Sequence, residues 1–167
     1  PIDNFFELKC FKLLDDISYI EAKNTNIITI HRGVFLNLPN LQQVDLRFNR
    51  IETISESFSY LKFLKILKLD NNLITFIPEF LVKLTNLTTL SLSNNLIKRI
   101  PLFIESFKSL NKLVLSFNKI ESIPIEIGLL ENLNSLSIEG NCFVEVPCSI
   151  GYLKELRELR ELRELRS

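Results

Sequence analysis

The side chains that could do chemistry are few and scattered along the chain. The single histidine, His31, stands beside Arg32 and Gly33 with no regularly placed nucleophile or carboxylate pair around it. A general base needs a substrate proton within reach and a tuned pKa, so we interpret His31 as a solvated loop residue. The four glycines form no GxGxxG or GxxxxGK phosphate-binding loop. We therefore expect neither enzymatic activity nor a cofactor.

Two carboxylate pairs are the candidates for a metal site. Asp15 and Asp16 are adjacent in sequence, whereas Glu21 and Asp45 occupy matching positions in neighbouring repeats, described below. Carboxylate oxygens are the ligands that hard cations prefer. The first pair falls in a turn, however, and we expect Glu21 and Asp45 to face water beside a lysine and an arginine. The sequence therefore predicts solvated charge and no metal site.

The cysteines bear on the compartment. Cys10, Cys142 and Cys148 are odd in number and lack paired CxxC spacings, which favours a reducing compartment. We accordingly expect a cytoplasmic protein. A Cys142–Cys148 disulfide and the glycosylation sequon that begins at Asn86 leave a secreted origin as the alternative. The absence of Met indicates either a fragment of a longer chain or removal of a start methionine before Pro1.

Composition argues against two classes of partner. Lys plus Arg and Asp plus Glu each total 20, so no excess positive charge is available to hold a nucleic acid backbone. No apolar run approaches the roughly eighteen residues of a membrane span, and charged residues interrupt the start of the chain where a signal peptide would be apolar. Because 46% of the residues are apolar, the chain can bury a sizeable core.

The elements that must position these residues are repeats of 23 residues. Five consecutive repeats have apolar residues at their fourth, seventh and ninth positions, asparagine at their twelfth, and apolar residues at their fourteenth and seventeenth, and a sixth row starts in the same way. The rows begin at Leu38, Leu61, Leu84, Phe107, Leu130 and Leu153. The asparagines are Asn49, Asn72, Asn95, Asn118 and Asn141. A proline follows the last apolar position in four rows, at Pro78, Pro101, Pro124 and Pro147.

This pattern resembles the leucine-rich repeat family, whose LxxLxLxxN signature is written here as "LKILKLDNN", "LTTLSLSNN" and "LNKLVLSFN". The resemblance covers residues 14 to about 160 and is greatest to the 23-residue type that is common in intracellular adaptor and scaffold proteins. An earlier, degenerate row at 14–37 is one residue longer and has Thr25 in the asparagine position. The resemblance implies an α/β fold, a horseshoe-shaped solenoid with short parallel β-strands on the concave side.

Stacking determines the expected organisation. One row cannot bury its apolar edge alone, but rows stacked at about 4.8 Å bury a continuous leucine core. We expect an N-terminal helical cap at 1–13, a solenoid of about six repeats at 14–152, and a C-terminal partial repeat with a charged capping tail at 153–167. In that tail Glu161 stands where a core leucine is due. Each repeat asparagine is predicted to satisfy backbone groups of its own row and the next.

The concave side is the expected binding face. Residues that alternate with the buried strand positions are charged with both signs in the first three rows and small in the last three, which suits a protein or peptide partner better than a polyanion. A merely solvated sheet is the alternative. The predicted partner-binding residues are Tyr19, Gln43, Asp45, Arg47, Ile66, Lys68, Asp70, Thr89, Ser91, Lys112 and Val114.

A second surface is predicted from apolar residues outside the core positions. Leu73 directly follows Asn72, in a position that Arg50 and Lys119 fill in other rows, so it should be exposed. A contiguous patch of this kind would exceed what a monomer normally shows to water, whereas scattered exposure would be unremarkable. One or two of its phenylalanines could instead turn inward. The predicted patch comprises Leu73, Phe76, Leu96, Phe80, Leu102, Phe103 and Ile125.

Three functions remain open at this point. The resemblance implies a non-catalytic module for protein–protein interaction that uses its concave face. The same module could serve as the targeting domain of a larger enzyme, as in leucine-rich repeat ubiquitin ligases or deadenylases. The apolar patch would instead support a structural homo-oligomer. The sequence does not identify the partner.

Overall fold

Parallel strands stack in chain order along one side of the molecule. The computed structural model describes residues 16–160, in which seven strands form one open sheet with the order β1 to β7. Every neighbouring pair is parallel. The strands are β1 Tyr19–Glu21, β2 Gln43–Asp45, β3 Ile66–Lys68, β4 Thr89–Ser91, β5 Lys112–Val114, β6 Ser135–Ser137 and β7 Glu158–Arg160. The predicted solenoid with short parallel strands is confirmed.

The register follows the repeat length. Gln43 pairs with Ile66 and Ile66 with Thr89, so each step is one repeat long. Tyr19 pairs with Gln43, one residue further along the chain, which agrees with the longer first row. In that row Thr25 Oγ1 donates to the carbonyl oxygen of Ala22 at 3.1 Å. Its hydroxyl thus takes one of the hydrogen bonds that an asparagine amide makes in the other rows.

Short 3-10 helices form the opposite, convex side. Within residues 16–160 they are η1 Glu56–Tyr60, η2 Glu79–Lys83, η3 Leu102–Ser106, η4 Ile125–Leu129 and η5 Cys148–Tyr152. Helices η2 to η5 each begin directly after a proline whose backbone is extended, with ψ between 143° and 152°. Proline fixes φ and has no N–H to leave unpaired at a helix start, so it suits this position. The convex side is therefore only partly helical.

One continuous core lies between the sheet and the 3-10 helices. The middle residues of β2 to β6 are fully buried from one side: Val44, Leu67, Leu90, Leu113 and Leu136. The third residues of η1 to η5 are buried from the other: Phe58, Leu81, Ile104, Ile127 and Ile150. Each of these rows therefore contributes apolar side chains from its strand and from its 3-10 helix, and neighbouring rows complete the packing.

The repeat asparagines join the rows inside the core. In Asn72, Nδ2 donates to the carbonyl oxygens of Leu46 and Leu69, both at 3.0 Å, and Oδ1 accepts from the N–H of Ile51 at 3.0 Å. The expectation that these amides bond to the next row is wrong. They bond to their own row and to the preceding row, because the preceding row supplies backbone groups inside the core that need a partner, such as the N–H of Ile51 and the carbonyl of Leu46. Equivalent bonds are made by Asn49, Asn95, Asn118 and Asn141.

The predicted N-terminal helical cap, together with Cys10, Asp15 and the irregular position Glu161, lies outside residues 16–160. Inside that range, the partial repeat after Leu153 supplies β7, which pairs with β6 through Leu159 and Leu136.

Candidate functional site

The strand register arranges the side chains of the concave face in parallel lines across the sheet. Pairing places Ile66 beside Thr89 and Thr89 beside Lys112 along one line across the sheet. Lys68, Ser91 and Val114 form the parallel line two residues further along each strand. Because side chains alternate across a strand, these residues point away from the leucine core. Lys68 on β3 and Lys112 on β5 thus lie diagonally across β4 from each other.

A depression of about 540 Å³ lies over the middle of this face. Eight of the eleven predicted partner-binding residues line it: Arg47, Ile66, Lys68, Asp70, Thr89, Ser91, Lys112 and Val114. The other three, Tyr19, Gln43 and Asp45, belong to β1 and β2 near one end of the array. The depression is also lined by residues absent from the prediction: Phe48, Asn71, Ser93, Asn94, Ser137 and Arg160.

Asp45 does not face water as expected. Its side chain is only 1% exposed, because Arg47 and Lys23 fold over it. Arg47 donates from Nε to Oδ1 at 2.9 Å and from Nη2 to Oδ2 at 2.8 Å. Burial raises the pKa of Asp45, but the hydrogen bonds from Arg47 outweigh it, and the pKa lies below its ordinary value. Asp45 is consequently a buried acceptor within the sheet and offers no free charge to a partner.

Asp70 is buried as well, and for a related reason. Its Oδ1 accepts from Ser91 Oγ at 2.5 Å and from the backbone N–H of Ser93 at 2.8 Å, both in the next row. Asp70 follows β3 by two residues, and its short side chain is covered by these residues of the next row. The carboxylate therefore ties two rows together, although it borders the depression.

The two lysines of the depression, Lys68 and Lys112, are more accessible than Asp45 and Asp70. The ion pairs among residues 16–160 join Lys23, Arg47 and Arg160 to carboxylates and include neither Lys68 nor Lys112. Lys112 is exposed and Lys68 half-buried. Half-buried apolar residues lie next to them, since Ile66 is on the strand of Lys68 and Val114 on that of Lys112. The centre of the face therefore combines apolar surface with two lysines that form no ion pair among the described residues.

The predicted partner-binding residues did not include the position directly before each repeat asparagine, which forms a column of side chains across the rows. Its backbone is left-handed, with φ of 59° at Phe48, 56° at Asn71, 52° at Asn94, 55° at Phe117 and 66° at Gly140. Asparagine and glycine tolerate this conformation, whereas an aromatic residue there is an outlier. The signal in the sequence was the alternation of Phe with Asn and Gly in one column.

The predicted apolar patch is smaller in the structure. Leu73 and Phe76 are exposed, and Leu102 and Ile125 are 65% and 68% exposed. Leu96 is half-buried. Phe80 and Phe103 are also half-buried and pack against the core, because each precedes the fully buried third residue of its 3-10 helix. These two phenylalanines are thus among those that turn inward.

The remaining candidates for chemistry stay apart. His31 is exposed in the long first row, and Cys142 and Cys148 are exposed and not bonded to each other. Within residues 16–160 no three histidine, cysteine or carboxylate side chains are grouped so that they could hold a metal ion. In the same range no helix has the length and apolar character that crossing a membrane requires.

Known proteins share this sequence pattern over part of their length. The volume-regulated anion channel subunits LRRC8D of Homo sapiens and Mus musculus are 40% identical over 73 residues, 42% of this chain. The match spans 8% of those relatives.

Solved structures share the fold over most of the chain. The ectodomain of the plant membrane receptor kinase GASSHO1/SCHENGEN3 from Arabidopsis thaliana, solved in complex with CASPARIAN STRIP INTEGRITY FACTOR 2, superposes with a TM-score of 0.73 at 32% identity. The match covers 84% of this chain and 18% of that one. An internalin from Listeria monocytogenes gives 0.70 at 23% identity over 80% of this chain and 38% of its own.

Family models place the chain directly. The model described as leucine rich repeat matches residues 17–74, and the model for two copies of the repeat matches 62–108 and 85–126. Together the matched segments run without a break from residue 17 to residue 126. With the seven-stranded parallel sheet and the asparagine ladder, these matches establish that the chain belongs to the leucine-rich repeat family.

Proposed function

We propose that the chain is a non-catalytic interaction module that binds a protein or peptide partner on its concave face. The observation that carries the proposal is the depression over β3 to β5, where Lys68 and Lys112 have no ion-pair partner among the described residues. The repeat fold is typically a scaffold for binding proteins. The complex of the Arabidopsis thaliana ectodomain with a partner supports the same use here.

The chemistry of the face fits a polypeptide. Interfaces combine apolar contact with polar groups that fix orientation, and Ile66 and Val114 supply apolar surface beside the two lysines. Thr89 of β4 lies between the two lysines and presents a hydroxyl group. Charged groups at an interface accelerate association and reject partners of like charge. Lys68 and Lys112 would therefore select the partner, while Ile66 and Val114 would contribute contact area.

The experiment is a double charge reversal, Lys68→Glu with Lys112→Glu. Proteins captured by the purified chain would be compared by quantitative mass spectrometry with those captured by Lys83→Glu with Lys108→Glu. The control makes the same change in net charge at two exposed lysines outside the depression. We expect the concave variant alone to lose its partner without a change in melting temperature. Equal capture by both variants would contradict the proposal.

A second candidate is the targeting domain of a larger protein, such as a leucine-rich repeat ubiquitin ligase or deadenylase. The support is length: the matched segment spans only 8% of the LRRC8D relatives and 18% of the Arabidopsis thaliana ectodomain. The full reading frame distinguishes a free-standing adaptor from a domain joined to a catalytic part.

Self-assembly is a third candidate, supported by exposed apolar side chains on the convex side. Leu102 and Ile125 are the first residues of η3 and η4 and occupy the same position of neighbouring repeats. Light scattering after size-exclusion chromatography would compare the wild type with Leu102→Lys plus Ile125→Lys. A wild-type oligomer that this variant converts to monomer would support assembly. A wild-type monomer at tens of micromolar would eliminate it.

We further propose a cytoplasmic location, supported by the exposed, unbonded thiols of Cys142 and Cys148. Thiol-reactive labelling of the protein from cells lysed under denaturing conditions tests this. Both thiols should react without prior reduction, whereas a reduction-dependent reaction would favour the secreted alternative.

A further inference from the structure

Phe48 and Phe117 keep an unfavourable backbone conformation that the fold imposes. Each donates its backbone N–H to the next row, Phe48 to the carbonyl of Asp70 at 3.0 Å and Phe117 to that of Glu139 at 2.8 Å. Their φ angles of 59° and 55° match those of Asn71 and Asn94, which make the same bond. Asparagine is the residue type that adopts this conformation readily, whereas a phenylalanine is strained. The local backbone therefore does not explain the aromatic side chains.

Core packing does not explain them either. The side chains of Phe48 and Phe117 are 52% and 54% exposed, and neither residue belongs to the core. Residues held in unfavourable backbone conformations cluster at positions that serve binding. Phe117 leans over Gly140, whose missing side chain leaves room for the ring. Both aromatic rings are thus presented at the surface without contributing to the core.

Phe48 borders the concave depression, and Phe117 lies in the same column, one row beyond the lining residue Asn94. Asn71, the remaining residue of the column between the two rings, also lines the depression. Three row spacings of about 4.8 Å separate the two phenylalanines by about 14–15 Å. An extended chain advances about 3.3 Å per residue, so side chains four or five residues apart would reach both rings.

Two lysines lie on the strands beside the column of the two rings, Lys68 on β3 and Lys112 on β5. Arg47 and Arg160 also line the depression but are hydrogen-bonded to the carboxylates of Asp45 and Glu158. The remaining carboxylate, Asp70, is buried under bonds from Ser91 and Ser93. Lys68 and Lys112 are left with no ion pair among residues 16–160. A segment that crosses the depression would therefore meet two ammonium groups, which favours carboxylates on that segment.

We propose that Phe48 and Phe117 are a pair of aromatic anchors that hold an extended, acidic segment of a partner protein across Lys68 and Lys112. The segment carries two apolar side chains four or five residues apart, one for each ring, with Asp or Glu between them. This inference rests on the proposed concave-face function and specifies the partner that the face accepts. Aromatic side chains with few rotatable bonds are efficient anchors, since little conformational entropy is lost when they bind.

The test uses a library of random twelve-residue peptides displayed on phage and selected on the purified full chain. Enriched peptides are synthesised with a fluorophore, and their Kd values are measured by fluorescence polarisation. We expect two apolar positions four or five apart with acidic residues between them. Phe48→Asn with Phe117→Asn, and separately Lys68→Glu with Lys112→Glu, should each weaken binding by about tenfold or more. Peptides with lysine in place of the acidic residues should bind the lysine-reversed variant better than the wild type.

The control is Phe63→Asn with Phe76→Asn, which removes two exposed phenylalanines at other positions and should leave Kd unchanged. Asparagine is what neighbouring rows carry in the Phe48 column, so the anchor variant should keep a wild-type or higher urea midpoint. Peptides that need Lys68 and Lys112 but ignore Phe48 and Phe117, or that are not acidic, would overturn this inference and leave the concave-face function standing. If no selected peptide or captured protein is sensitive to either concave variant, both proposals fail.

Discussion

The ring of Phe117 occupies the space that a side chain at Gly140 would need. A Cβ at position 140 would lie 2.5 Å from Cδ1 and 2.8 Å from Cε1 of Phe117, one row away in the same column. The φ of Gly140 is also positive, at 66°. The aromatic residue in one repeat therefore depends on glycine in the next.

Replacing Gly140 should reveal the cost of its left-handed backbone and the cost of the contact with Phe117. Gly140→Ala is expected to destabilise the fold by about 1–3 kcal/mol, from the left-handed backbone and from the clash with Phe117. In a Phe117→Asn background only the backbone part should remain. Urea denaturation of the four proteins of this cycle gives the coupling. Gly151→Ala is the control, because no atom lies within 4 Å of the added methyl group, and equal losses at both glycines would contradict the interpretation.

Phe48→Asn should stabilise the protein while it weakens binding. Phe48 holds a left-handed backbone that asparagine adopts at lower cost, so we expect a gain of about 0.5–1 kcal/mol in the free energy of unfolding. The reverse change, Asn71→Phe in the next row, should cost a similar amount. Urea midpoints measure both. A loss of stability in Phe48→Asn would mean that the ring contributes to folding after all.

Asn95→Ala should be costly because the amide serves two rows. Its Oδ1 accepts from the N–H of Ile74 at 3.0 Å, and its Nδ2 donates to the carbonyl oxygens of Leu69 and Leu92 at 3.0 and 3.1 Å. Leaving such buried groups unpaired costs roughly 1–3 kcal/mol. Asn86→Ala, which removes one bond on the surface, should cost under about 1 kcal/mol. Comparable unfolding free energies for the two variants would show that the asparagine ladder contributes little.

Two neighbouring residues of β4 test the assignment of the sheet faces. Leu90 is fully buried, so Leu90→Ala should destabilise the fold by about 2–5 kcal/mol through lost packing and a cavity. Thr89 is half-buried on the concave side, and Thr89→Ala should cost under about 1 kcal/mol. Thermal and urea unfolding of both variants gives the comparison. Similar losses at both positions would mean that the concave and core faces are interchanged.

Asp45 should contribute to the acid sensitivity of the fold. Its folded pKa lies below the ordinary value of 3.8, because the bonds from Arg47 outweigh the effect of burial. The carboxylate therefore stabilises the fold fully above that ordinary value, and the contribution is lost as pH falls through the lower folded pKa. Asp45→Asn should be less stable than the wild type at pH 7, and the difference should shrink in acid. Glu121→Gln, at an exposed site, is the control. A difference that does not change with pH would exclude this linkage.

The leucine and asparagine positions could be predicted because stacking buries the same positions in every repeat. Leu67, Leu90 and Leu113 recur at a constant spacing, and only parallel stacking in register can bury all of them at once. The same spacing identified Thr25 as the exception in the long first row. Most of the residues around the depression followed as well, since alternation along a strand leaves only one outward face.

What the tertiary structure decided depends largely on contacts between neighbouring rows, such as Lys23 with Asp45 and Phe48 with Asp70, whose residues are 22 positions apart in sequence. Asp45 is buried because Lys23 from the row before and Arg47 beside it close over a short side chain, so its charge did not predict its exposure. Phe80 and Phe103 pack against the core because the 3-10 turns direct them there. The left-handed backbone of Phe48 and Phe117 is imposed by hydrogen bonds to the next row. Periodicity determines which residues form the core, whereas the neighbours of each surface side chain decide whether it remains available to a partner.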